Sequence, residues 1–137
     1  MTWQIFAVLT MVFFAMISFF IKLGAGSTDG RLAALVLNAT AVALLIVMTI
    51  VMKVPLSFTG KSAFFILAAG ACAAIGNVFA FKTFSLGAPI SVTAPLFAVG
   101  AILIGYTLGL TVFKESFSYT SFFGVLLGIV SIWLVFK

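Results

Sequence analysis

Polar and charged residues break this chain into five long apolar runs, Trp3–Ile21, Leu32–Met52, Ala63–Phe81, Ile90–Phe113 and Phe117–Phe136. They are 19, 21, 19, 24 and 20 residues long. A helix rises about 1.5 Å per residue, so each run matches a hydrocarbon core of about 30 Å. The runs are apolar on every face and rich in Leu, Ala, Phe and Met, whereas barrel strands would alternate over segments of about ten residues. The pattern predicts an all-α integral membrane chain of five transmembrane helices, occupying residues 1–137 as one domain. The first run lacks a basic stretch before it and exceeds the apolar core of a signal peptide, so it is expected to be retained.

Composition supports this reading. Of 137 residues, 65% are hydrophobic and 7% charged, against about 25% charged in a soluble domain. Two acids and seven bases cannot cover a water-soluble surface of this size. Catalysis loses its usual groups as well. There is no His, one Cys and no pair of acids able to share a site, so no enzyme activity, metal or cofactor is expected. Gly60, Lys61 and Ser62 match the end of a phosphate loop, but Pro55 stands where its first glycine must be. Cys72 lies mid-span and reads as a small buried filler.

The connections carry helix signals. Ser27, Thr28 and Asp29 precede the second run as cap candidates, and Pro89 opens the fourth. Lys114 and Glu115 form a tight turn between the last two runs. There the dipoles favour the cation at the end of the fourth helix and the carboxylate as a cap of the fifth. Counting bases by side places Lys53, Lys61 and Lys114 on one face and Lys22, Arg31, Lys82 and Lys137 on the other. Three against four does not fix orientation, which predicts dual topology and an inverted homodimer. A fixed orientation set by loop details is the alternative.

A polar side chain within lipid needs a partner or a water-filled cavity. The candidates are Asn38, Asn77, Ser91, Thr93, Tyr106 and Thr107, with Phe81 a possible aromatic lining. Asn77 shares a stripe with Gly70, Ala73 and Ala74, and either packs against a neighbour or lines a substrate cavity. Pro95 frees the carbonyl of Ser91 and bends the fourth helix, as an inert kink or as a hinge. Lys22 and Lys82 either snorkel or charge a cavity mouth. Gly105 with Gly109, and Gly124 with Gly128, form small-xxx-small faces suited to helix packing or a dimer seam.

The run "FAFKTFSLGAPISVTAPLFAVGAILIGYTLGLTVFKESFSYTSFFGVLLGIVSIWLV" resembles the second part of an EamA domain, the five-helix unit of the drug/metabolite transporter superfamily. Pro95 falls at that family's fourth-helix proline, Glu115 at its turn glutamate, and Gly124 and Gly128 at its fifth-helix glycines. "FFAMISFFIKLG" is similar to its first helix, ending near Lys22. Lys114-Glu115 departs from the family's Gly-Glu turn. Most members carry two inverted units, so a homodimer of this chain would restore ten helices. The resemblance implies a secondary transporter exporting small organic metabolites by alternating access in the cytoplasmic membrane of a prokaryote. The partners expected are the lipid bilayer, a second copy and a small-molecule substrate, without nucleic acid. A non-transporting partner subunit and a multidrug exporter are the competing readings. The related small multidrug resistance proteins carry a carboxylate in their first helix, and this sequence has none there.

Overall fold

The computed structural model describes every residue except Met1, Leu56 and Phe58, and the backbone alone at Thr2 and Val135. It is all-α, with α1 at Thr2–Gly24, α2 at Gly30–Val51, α3 at Gly60–Ser85, α4 at Ile90–Thr111 and α5 at Tyr119–Val135. The first four are long and apolar enough to cross a membrane, and the fifth is a shorter apolar helix. The chain is an integral membrane protein by this measure. Only 6% of the apolar window is buried within the chain in each of α1, α2 and α3, and 11% in α4. Lipid or another protein must therefore cover what the chain itself leaves open.

Packing groups the chain into two compact units, Met1–Gly87 and Ala88–Lys137. In the first, α3 packs against both α1 and α2. Its buried apolar side chains, Ile21, Ala34, Phe81 and Phe84, belong to the end of α1, the start of α2 and the end of α3. Small residues allow the close approach there. A Cβ at Gly30 would meet Phe81 Cβ at 3.4 Å and the Lys82 amide nitrogen at 3.6 Å, so α2 begins almost against the α3 backbone. Asp29 caps that start, its Oδ1 accepting the Arg31 amide at 2.9 Å, a device worth about 1 kcal/mol. Helix α3 runs on to Ser85, past the expected end at Phe81, and carries Lys82 in its last turn, where a cation complements the carbonyl dipoles.

Helix α2 closes with a Schellman pair. The Val54 amide donates to the Thr49 carbonyl at 3.1 Å and the Lys53 amide to Ile50 at 3.2 Å. The linking residue is left-handed, and here it is Lys53, at φ 50°, rather than the usual glycine.

The second unit is the α4–α5 hairpin. Helix α4 passes through Pro95 as one continuous element and ends at Thr111, two residues before the expected boundary. The Val112 and Phe113 amides both donate to the Leu108 carbonyl, at 2.9 and 3.2 Å, and the Glu115 amide reaches back to Gly109 at 3.0 Å. Lys114 takes φ 52° to allow that return. Two expectations are corrected here. The connection, expected to be a tight turn over 114–116, spans 112–118, and Glu115 does not cap α5. The N-cap is Ser118, and Phe117, expected inside the helix, precedes it. Phe117 packs on Phe122 with ring centroids 5.7 Å apart, a hydrophobic staple from the residue before the cap to the fourth helical position. That staple sets where α5 begins and leaves it 17 residues long, about 25 Å.

Candidate functional site: the α4–α5 groove

The second unit carries a groove of about 560 Å³ lined by Ile102, Gly105, Tyr106, Glu115, Ser121, Gly124 and Val125. This lies within the range of small-molecule pockets, about 300–1,000 Å³. Glycine makes it open. A Cβ at Gly105 or at Gly124 would meet nothing within 4 Å, so within the chain neither is pressed against a neighbouring helix. The other pair behaves differently. Gly128 faces Val99, whose Cγ1 would stand 3.0 Å from an added Cβ, and this is the tight contact that joins α4 to α5.

Glu115 supplies the charge. Its side chain folds back over the last turns of α4, so that Oε2 would stand 2.8 Å from a Cβ at Gly109. No hydrogen bond or ion pair reaches its carboxylate among the described residues. On the helix wall the Tyr106 hydroxyl is buried and has no hydrogen-bond partner. A buried hydroxyl left unsatisfied costs about 1–3 kcal/mol, and Tyr106 shares the groove lining with Glu115. Ser121, in the first turn of α5, adds a second hydroxyl to the lining.

The remaining candidates lie elsewhere. In the first unit Asn77 Nδ2 donates to Asn38 Oδ1 at 3.3 Å, and Asn38 Nδ2 donates to the Ala34 carbonyl at 2.7 Å. These two asparagines tie α3 to α2 about 12 Å from the helix ends. Phe81, one turn beyond Asn77, is buried against Gly24 and Gly30. It also lines a second groove of about 380 Å³ with Phe20, Ile21, Ser27 and Leu37 among others. The Lys22 ammonium lies over the Phe84 ring, 5.6 Å from its centroid, a cation–π contact worth about 0.5–1 kcal/mol at an exposed site. Lys82 is exposed in the last turn of α3. Early in α4, Thr93 is buried with its hydroxyl on the Pro89 carbonyl at 2.9 Å, and Ser91 is exposed. Thr107 bonds the Leu103 carbonyl at 2.9 Å. Cys72, expected to be a buried filler, is exposed on α3, as are the residues around it from Phe64 to Gly76.

A scan against protein-family models gives no match, and searches of curated proteins and of solved structures give none either. The site thus rests on its own geometry.

That geometry joins Tyr106, Gly105 and Gly124, three residues legible as candidates, to two that sequence reasoning placed differently or passed over. The apolar run beginning at Phe117 makes Glu115 read as a helix cap. The signal for the true start is Ser118, a preferred cap residue with an aromatic before it and another four positions after it. Ser121 had no signal beyond being a lone hydroxyl in the first turn of an apolar helix. Among the described residues no group of three or more His, Cys, Asp or Glu gathers to hold a metal.

Proposed function

We propose that the chain is a secondary transporter of small organic metabolites, an EamA-like unit that works by alternating access as an inverted, dual-topology homodimer in the cytoplasmic membrane of a prokaryote. The observation that carries this reading is the α4–α5 groove. It is an open recess of small-molecule size that brings an unpaired carboxylate from the α4–α5 connection together with a residue of α4 whose buried hydroxyl has no partner. A buried polar group left without a partner on a membrane helix, as the Tyr106 hydroxyl is, is costly and by default points to a functional site.

Assembly follows from coverage. The helices leave large apolar side chains exposed along their length, from Phe13 and Phe14 in α1 to Trp133 in α5. A second copy would cover part of that surface. The near-even split of bases between the two faces suits a copy inserted the other way up. The same uncovered surface also fits an obligate partner subunit of another membrane protein. Reconstitution separates the two: a purified homodimer in liposomes preloaded with unlabelled amino acids should accumulate labelled amino acids by counterflow. A stable protein that shows no counterflow with any of a panel of small metabolites would favour the partner-subunit reading.

A further inference from the structure

Of the two acids in the chain, Asp29 is occupied in capping α2, which leaves Glu115 as the carboxylate able to meet a ligand. Among the described residues it is the one charged residue lining the α4–α5 groove, so the groove presents negative charge and selects a cation. The other polar linings are the hydroxyls of Tyr106 and Ser121, both able to accept hydrogen bonds. A hard metal ion wants six or more oxygen ligands, which one carboxylate and two hydroxyls do not supply. An ammonium needs three acceptors, one for each N–H, and the groove has three such groups. Around them stand Ile102 and Val125, with Val125 buried, and the open backbone of Gly105 and Gly124. That is a wall for an alkyl or aromatic portion rather than for water.

We propose that the α4–α5 groove binds the ammonium group of an organic amine. The Glu115 carboxylate is its counter-ion, the Tyr106 and Ser121 hydroxyls accept its remaining hydrogen bonds, and Ile102 and Val125 contact its apolar portion. The Tyr106 hydroxyl, buried without a partner, gains one when its side chain turns toward the groove to accept from the ligand. The groove starts at the α4–α5 connection and reaches about 8 Å along α4 to Tyr106. That depth is open both to a soluble amine and to the amine headgroup of a lipid. As the substrate class of a transporter this assignment rests on the function proposed above; as a binding site it stands without it.

The chain has two tyrosines, and Tyr119 is 75% exposed, so it serves as an internal control. The protein is labelled throughout with 3-fluorotyrosine, held in dodecyl maltoside micelles, and titrated with butylammonium chloride while the fluorine spectrum is followed. The Tyr106 resonance, assigned by Tyr106→Phe, should shift saturably while Tyr119 stays in place, and butanol or sodium chloride should have no such effect. Glu115→Gln should weaken the response by at least about ten-fold, with an unchanged thermal unfolding midpoint in the same micelles reporting an intact fold. Adding phosphatidylethanolamine to the micelles distinguishes the sources. A Tyr106 shift from that lipid, competed by butylammonium, points to a headgroup ligand; a response to the free amine alone points to a soluble one. Liposomes that show no counterflow while the fluorine shift persists would remove the transporter reading and leave the site. A Tyr106 resonance indifferent to butylammonium, or an equal response in Glu115→Gln, would overturn the proposal.

Discussion

The carboxylate of Glu115 rests on Gly109, with Oε2 placed where it would stand 2.8 Å from a side-chain carbon on that glycine. The Glu115 amide is bonded to the Gly109 carbonyl at 3.0 Å, so backbone and side chain both turn the residue back onto α4. Position 109 therefore controls where the one groove carboxylate points.

Gly109→Ala tests that control. The clashing atom is the end of a flexible side chain, which can swing away, and alanine favours a helix over glycine by about 1 kcal/mol. Thermal unfolding in detergent should therefore show stability unchanged or raised by up to about 1 kcal/mol. The fluorine response to butylammonium should fall as it does in Glu115→Gln. Full retention of the response would show that the carboxylate does not need its seat on Gly109.

Gly128→Ala should behave in the opposite way. The added methyl meets Val99 Cγ1 at 3.0 Å, and valine, branched at Cβ, has little rotamer freedom with which to yield. A loss of about 1–3 kcal/mol is expected from overpacking. Gly124→Ala, four residues earlier and facing open space, should cost less than about 0.5 kcal/mol. Equal losses at the two positions in an unfolding titration would contradict this division of the glycines.

The Asn38–Asn77 bond predicts coupling across 39 residues of sequence. A double-mutant cycle with Asn38→Ala and Asn77→Ala, read by denaturant unfolding in mixed micelles, should give a coupling of about 0.6 kcal/mol, the usual size for such bonds between membrane helices. Additive effects would mean that the two side chains do not meet.

Lys53 occupies a left-handed position, φ 50°, that costs an ordinary residue about 1–2 kcal/mol. Lys53→Gly relieves that strain at some expense in unfolded-chain entropy, and should leave the protein as stable or up to about 1 kcal/mol more so. Lys53→Val, branched at Cβ, should destabilise it by about 1 kcal/mol or more. The two melting curves, measured together, check the sign of both changes.

Much of this architecture is legible in the residues themselves. The five apolar runs became five helices, and Asp29 stands where a cap was expected, because both signals are local. The ends of the last two helices were misplaced, because Phe113 and Phe117 are apolar enough to look spanning. Phe113 instead lies in the amide return to Leu108 that ends α4, and Phe117 in the staple onto Phe122 that starts α5. Once α5 began two residues later than expected, Glu115 lost its place beside the cap and became part of a groove wall. The partnership of Asn38 with Asn77, and the separation of Gly128 from Gly124 by role, depend on which helix faces which. No spacing within one helix encodes that.

Orientation and assembly are tested together by one labelling experiment. With Cys72 replaced by Ser and Lys137 by Cys, intact cells are treated with a membrane-impermeant maleimide before and after the inner face is opened. An inverted homodimer predicts that about half of the chains react from outside and the rest only after opening. Reaction of every chain from a single side would contradict dual topology, and with it the inverted homodimer on which the transport reading stands.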